Sequence, residues 1–347
     1  MYIKKILVAV AILGLVGVGI FSYYIYESIL GENTKFASEK EIVLIPTNAD
    51  YRTVLDSLRP LVKDLSSFNI VAEKKQYPGN IKAGRFILKK GMNNNDIVNT
   101  LRSTNAPINI SFNNQERVED LAGRISNQIE ADSLSLLEAM RDEEFLAENN
   151  LDEATALGMY IPNKYEFFWN TSAEEFRARM KTEYDRFWSQ SRLQKAEEIG
   201  LTPGQVITIA SIVQKETAKV DERPKVAGVY MNRYKNGWKL DADPTVIYAI
   251  KEKTQNFDTI IKRVLYKDLE LDSPYNTYKY REIPPGPIAM PDISSIDAVL
   301  NYEDHDYFYF VANVENFGYH KFAKTLAQHN RNKQEYVRWI NKKGIKR

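Results

Sequence analysis

The strongest contrast along the chain is an uncharged, largely apolar run from Ile6 to Tyr26, preceded by Lys4 and Lys5 and followed by Glu27. A helix needs roughly 20 apolar residues to cross the hydrocarbon core, so residues 6–26 are predicted to span a membrane. Tyr23, Tyr24 and Tyr26 stand at its far end, where amphipathic rings favour the interface. A cleaved signal peptide is the alternative, but its apolar core is shorter and ends in a small-x-small site, whereas this run continues through Phe21–Tyr26. The basic flank predicts a cytoplasmic tail over residues 1–5 and a single-pass protein of the inner (plasma) membrane. Everything after Glu27 then lies on the periplasmic or extracytoplasmic side.

Beyond a polar linker over residues 27–40, one pattern recurs. Ile42–Ile45 reads as a short strand, Pro46–Asp50 as a polar turn and Tyr51–Leu58 as an amphipathic helix. Arg85–Leu88, Lys89–Asn95 and Asp96–Leu101 repeat the order, and Ile108–Phe112, Asn113–Gln115 and Val118–Ile129 look like a third copy. Such units predict a small α+β module with the first two strands paired, although short αβ units also resemble one another by chance. From Ser133 the pattern turns helical, through Ser133–Arg141, Asp142–Glu148 and Ala173–Gly200, around the aromatic stretch Gly158–Trp169. Helices are expected from Pro203 through the Ile207–Thr217 segment, from about Pro224 to Tyr234, and a third to which Asp241–Tyr248 leads. Proline and glycine then dominate Ser273–Tyr278 and Ile283–Pro291, a stiff loop of the kind that carries function or walls a cleft. Strands at Tyr307–Val311 and Tyr319–Phe322 and a helix from Leu326 to Asn341 complete the chain.

Glu216 stands out. Thr202 reads as the N-cap and Pro203 as the first position of its helix. At about 100° per residue, Glu216 falls between Ile209 and Ile212 at the edge of the apolar stripe, with Lys215 directed away. A carboxylate beside isoleucines is poorly solvated, so it holds its proton toward neutral pH, as a general acid must. The alternative is a core-edge glutamate paired with Arg223 or Arg233.

Composition narrows the chemistry. A formal net charge of +1 gives no reason to invoke nucleic acid. There is no cysteine, so disulfides and thiolate metal sites are out of reach. The three histidines, His305, His320 and His329, lack metal-ligand spacing, and no glycine-rich phosphate loop occurs. No metal or cofactor is expected, and the work falls to carboxylates, hydroxyls, amides and aromatics. The 21 tyrosines and 4 tryptophans offer faces on which sugar rings stack, although most such rings fill cores.

A set of short segments, in order over almost the whole chain, resembles the endolytic murein transglycosylases, the YceG-like family. The segments are Ala83–Met92, Tyr160–Tyr165, Ala210–Glu216, Val229–Arg233, Asp243–Tyr248, Tyr275–Tyr278, Pro284–Ile288, Tyr309–Val311 and His320–Phe322, after the N-terminal anchor. The resemblance implies an α+β chain: a transmembrane helix, a LysM-like peptidoglycan-binding module over residues 41–106, and a lysozyme-like transglycosylase domain over 107–347 with its core at about 201–330. It implies a lyase that cuts glycan strands internally at the MurNAc–GlcNAc β-1,4 bond. The products carry 1,6-anhydro-N-acetylmuramic acid ends, and elongation of nascent strands stops. The implied partners are peptidoglycan strands, the membrane through the N-terminal helix, and peptidoglycan synthases.

Two positions depart from the family pattern. Many members carry an acidic residue where this chain has Gln214, so the catalytic role falls to Glu216 alone. Asn163 replaces an aspartate in the aromatic segment. In a lytic mechanism one carboxyl group acts first as acid and then as base, with the muramic 6-hydroxyl as an internal nucleophile of high effective concentration. Asp243, Thr245, Asn276, Thr277 and Tyr278 are the candidate polar contacts to substrate, and Tyr248 a candidate stacking face. The polar residues equally suit turn and cap chemistry. Arg233 is expected to hold either a structural carboxylate or the peptide stem, with the structural role favoured, and His320 to be a hydrogen-bonded wall residue. Two rivals remain. One is a hydrolysing muramidase with Asp243 or Asp241 as second carboxylate. The other is a non-catalytic peptidoglycan-binding scaffold of the growth machinery.

Overall fold

The computed structural model describes residues 2–342. Its first helix, α1 (Tyr2–Leu30), has 29 residues. It is the one helix among the described residues long and apolar enough to cross a membrane. At 1.5 Å per residue it measures about 43 Å, longer than the roughly 30 Å hydrocarbon core. It therefore outruns the expected 6–26 span at both ends.

The chain divides into two compact units. The first comprises residues 1–110, with 128–131 and 165–172. Strands β1 (Lys40–Ile45) and β2 (Gly84–Lys89) pair antiparallel, from Lys40 opposite Lys89 to Ile45 opposite Gly84, as the sequence predicts. Between them lie α2 (Tyr51–Leu58) and α3 (Leu65–Lys74), and α4 (Asn94–Leu101) follows. Each helix starts on a side-chain cap: Asp50, Asp64 and Asn93 accept from the N–H of Thr53, Ser66 and Asp96. The pattern does not announce α3, because Leu65-Ser-Ser-Phe-Asn-Ile-Val has apolar residues at both helical and strand spacing. Its Phe68 and Val71 nevertheless join Val43, Ile45, Val54, Phe86 and Ile97 in one core.

The stretch read as a linker is part of this unit. Asn33 and Thr34 are buried. Asn33 accepts from the Asp64 N–H at 2.7 Å and donates to the Asp64 carbonyl at 2.8 Å. Buried Asn94 donates to the Ser28 carbonyl at 2.7 Å. One of the carbonyls left open by the end of α1 is thus satisfied, and the apolar helix is joined directly to the module. Strands β3 (Ile108–Ser111) and β4 (Lys164–Phe167) form a separate pair.

The second unit comprises residues 111–127, 132–164 and 173–347. It contains α5 (Val118–Ser126), α6 (Ser133–Met140), α7 (Glu143–Glu148), α8 (Ala173–Phe187) and α9 (Gln190–Glu198). Then come α10 (Pro203–Glu216), α11 (Arg223–Lys235), α12 (Asp243–Thr254), α13 (Ile293–Leu300), the hairpin β5 (Tyr309–Ala312) and β6 (His320–Ala323), and α14 (Leu326–Lys342). The expected single helix over 173–200 is broken at Trp188-Ser189. The short α13 has little local signal behind its proline-rich approach, yet it packs closely on α10 and α11.

Helix α10 is the hub. Thr202 caps it in a reciprocal capping box with Gln205, and Pro203 holds its first position. Every residue from Val206 to Val213 is buried. The expected one-sided stripe is thus an all-round core helix, in which Thr208 and Ser211 satisfy their hydroxyls on backbone carbonyls four and three residues back. Ser211 also accepts from the Ile288 N–H at 3.1 Å, which seats the proline-rich loop against the hub. Gly286 in that loop passes so close to residue 154 that a Cβ there would collide with the Ala154 carbonyl.

Candidate active site

Glu216 is the last residue of α10, and Thr217 turns the chain out in extended conformation. The helix end itself disfavours a negative charge, because the terminal carbonyls carry the negative pole of the helix dipole. Burial acts in the same direction. It pushes the Glu216 carboxyl up from 4.5 to about 7, assisted by the charge of Asp243 and opposed by the hydroxyl of Tyr230 and the positive charge of Arg233. Tyr230, fully buried on α11, donates to Glu216 Oε1 at 2.8 Å. That is the one hydrogen bond to the Glu216 carboxyl among the described residues, and it leaves Oε2 available.

Neither arginine that could have paired with Glu216 does so. Arg223 donates to Ser294 Oγ at 2.6 Å and lies 3.5 Å from Asp292. Buried Arg233 donates to the backbone carbonyls of Phe308, at 2.8 Å, and Leu240. It ties the residue before β5 to the approach to α12, holding backbone carbonyls rather than the expected structural carboxylate.

Asp243 opens α12 and is exposed. Its Oδ1 accepts from the Tyr278 hydroxyl at 2.7 Å. Burial first, then the bond to Asp243 and the charges of Asp241 and Glu216, push the Tyr278 phenol up. Glu216, Asp243, Tyr278 and Tyr230 are thus brought together, and Asp241 stands beside them with its carboxyl raised by burial. Asp241 adopts φ 48°, a left-handed turn that aspartate tolerates better than most residues.

Thr245, Asn276 and Thr277 have a different place. All three are at most 1% exposed. Thr277 Oγ1 accepts from the Ala242 N–H at 3.0 Å and meets Thr245 Oγ1 at 2.8 Å, which in turn donates to the Ala242 carbonyl. Asn276 donates to the carbonyls of Leu269 and Leu271 and accepts from the Tyr278 N–H. Their side chains lock the 275–278 turn onto the start of α12. They hold Asp243 and Tyr278 in place, and the hydrogen bonds they make are those of the turn-and-cap alternative. Tyr248 points elsewhere, into a neighbouring cavity with Tyr275 and Phe257.

No local pattern singles out Glu222, which is buried at the start of α11. Its carboxylate accepts from Thr217 Oγ1 at 2.9 Å and from the His320 N–H at 2.6 Å, and His320 Nδ1 lies 2.9 Å away. Thr217 follows Glu216 directly, so Glu222 fixes the exit of the α10 chain. Phe310 bridges the two sides, edge-on to both Tyr230 and His320. Sequence offers little warning of this, since His320 is 98 positions from Glu222. Gln214 is also structural: its Oε1 accepts from the Asp292 N–H and from Ser295 Oγ, which holds the start of α13.

A family profile, described as YceG-like, matches residues 43–335. The chain belongs to the YceG-like family. Relatives named endolytic murein transglycosylase include one from Bacillus subtilis (strain 168), 28% identical over 317 residues that cover 86% of this chain and 85% of that one. Another, from Streptococcus pneumoniae serotype 2 (strain D39 / NCTC 7466), is 27% identical and covers 92% of this chain. This YceG-like chain spans 62% of that pneumococcal relative's length. The crystal structure of a YceG-like protein from Listeria monocytogenes matches with a TM-score of 0.57 at 30% identity, covering 84% of this chain and 98% of that one.

Proposed function

We propose that this YceG-like protein is a membrane-anchored endolytic murein transglycosylase. The observation that carries the reading is Glu216, a carboxyl raised to about 7 at the end of a buried helix, with one oxygen held by Tyr230 and the other open. At neutral pH a large share of such groups is protonated. Glu216 gives its proton to the glycosidic oxygen between MurNAc and GlcNAc as the bond to the anomeric carbon breaks. The resulting carboxylate then takes the proton of the muramic 6-hydroxyl, whose oxygen bonds to the same anomeric carbon. A 1,6-anhydro end forms, no water is consumed and Glu216 returns to its starting state. Tyr230 steadies the carboxylate between the two transfers, and Asp243 with Tyr278 supplies polar support for the oxocarbenium-like charge. The names of the relatives support murein as substrate.

The βααβ arrangement of β1, α2, α3 and β2 supports a LysM-like peptidoglycan-binding role for the first unit, and the second unit is assigned the lysozyme-like role. Helix α1 fits a single-pass anchor, and Lys4 and Lys5 favour a cytoplasmic N-terminus with the site on the outer side of the membrane. Cutting nascent strands there, beside the synthases, would end their elongation. The test compares cleavage of purified glycan strands by Glu216→Gln and Asp243→Asn. Glu216→Gln is expected to lose at least the roughly 100- to 10,000-fold typical of general acid catalysis while remaining folded. Asp243→Asn is expected to retain measurable activity. Equal collapse of both variants with reducible product ends means a two-carboxylate hydrolase instead.

A further inference from the structure

Beside the Glu216 site, the second unit holds a cavity of about 570 Å³ that the mechanism above does not use. Pockets of some 300–1,000 Å³ are the size that receives small organic groups. Its aromatic wall is Tyr248, Tyr275 and Phe257, with ring centroids of Tyr248 and Tyr275 4.6 Å apart. Phe257 already carries the Arg117 guanidinium over its face at 4.5 Å, and Arg117 pairs with Asp120. The other arginine, Arg141, is held by Glu119 and Glu153. Glu116 is clamped between Lys215 and Lys251, each at 2.7 Å. Asp152 accepts from the N–H and hydroxyl of Thr155.

Glu252 is the lining carboxyl left over. Its side chain makes no hydrogen bond or ion pair among the described residues, and it is half-buried. Its side chain lines the same cavity as Tyr248 and Tyr275, close enough for its charge to bear on both phenols. A carboxylate without a cation, lining a concave site together with aromatic rings, matches an ammonium group on two counts: a charge-assisted hydrogen bond and a cation–π contact.

We propose that this cavity is a receptor for a primary ammonium group, the free amine on the diamino acid of the peptide that murein carries on its muramic acid. This identification of the ligand rests on the murein reading above. The reach is suitable. Glu252 lies nine residues beyond Asp243 on α12, about 13 Å along the axis. An extended peptide of three residues covers about 10 Å, and a diamino-acid side chain supplies the remainder. The cavity thus selects strands that still bear peptides with an unacylated amine, while the chemistry at Glu216 is blind to them.

The experiment uses the full chain in detergent, carrying Glu216→Gln. It is titrated calorimetrically with a soluble muramyl tripeptide bearing a free diamino-acid amine, and with the same compound acetylated on that amine. The free amine is expected to bind at least ten-fold more tightly, and adding Glu252→Gln to erase the difference while leaving the thermal midpoint in place. Glu252→Asp should keep part of the preference, which a loss of folding would not. Equal affinity for the two ligands, no measurable binding of either, or a preference that survives Glu252→Gln overturns the proposal. Wild-type digestion of peptide-free strands separates the two readings. Anhydro ends together with equal peptide affinities remove the receptor alone. Amine-dependent binding without any strand cleavage leaves the receptor and removes the catalytic reading.

Discussion

Replacing Glu216 with glutamine should make the protein more stable, and only at the upper end of the pH range. In the unfolded chain the carboxyl titrates near 4.5; in the folded protein it titrates near 7. Below about pH 4.5 the group is neutral in both states and contributes no difference. As pH rises from 4.5 to 7 the unfolded chain releases the proton while the folded one keeps it, so folding stability falls. Above 7 the folded state carries an ionised group whose cost is the full shift. At 1.36 kcal/mol per pH unit, the interval from 4.5 to about 7 amounts to about 3 kcal/mol. The glutamine amide keeps the shape, accepts the Tyr230 hydroxyl and does not titrate. Paired guanidinium unfolding of wild type and Glu216→Gln in detergent, from pH 4.5 to 8.5, should show a gap that opens with pH and levels off above 7 at up to about 3 kcal/mol. A gap that is flat across this range, or a wild type that is the more stable at pH 8, would refute a Glu216 carboxyl that keeps its proton toward neutral pH.

Two other substitutions probe the surroundings of that carboxyl. Tyr230→Phe removes a hydrogen bond that favours the charged form, so Glu216 should hold its proton to higher pH. A bond of about 1.5–3 kcal/mol corresponds to roughly 1–2 pH units, and the alkaline limb of the rate–pH profile should move up accordingly; a limb that stays or moves down contradicts the contact. Glu222→Gln weakens the clamp on Thr217 and His320. It should lower kcat about 10-fold or more with little change in KM and displace the same alkaline limb, since a misplacement of about 1 Å can cost roughly 100-fold; an unchanged profile with only a lower thermal midpoint means that Glu222 serves folding alone.

Much of this arrangement is legible in the sequence where local chemistry decides it. Thr202, Pro203 and Gln205 announce the start of α10, and the isoleucines around Glu216 announce a poorly solvated acid. The pairing of β1 with β2 follows from two short apolar runs. What stays hidden depends on partners distant in sequence. Glu222 looks like one more surface acid until His320 is folded onto it, and Gln214 looks idle until α13 arrives. Tyr230 lies in one of the family segments, but nothing local says that its hydroxyl meets Glu216. The reverse also holds: Thr245, Asn276 and Thr277 suggest substrate contacts because polar side chains cluster there, whereas the fold uses their hydrogen bonds to build a turn. The stretch at 27–40 has the polar composition of a linker, and part of that polarity proves to be Asn33 and Thr34 buried against the module.

The most direct measurement is the mass of the new strand end. Glycan strands digested with the wild-type chain are reduced with borohydride and analysed by mass spectrometry. A single glutamate carrying both proton transfers leaves a non-reducible end about 18 Da lighter than the hydrolysed one, with no oxygen incorporated from labelled water. Reducible ends that take up the label would show that water is the nucleophile and that a second carboxylate, with Asp243 the nearest candidate, shares the chemistry.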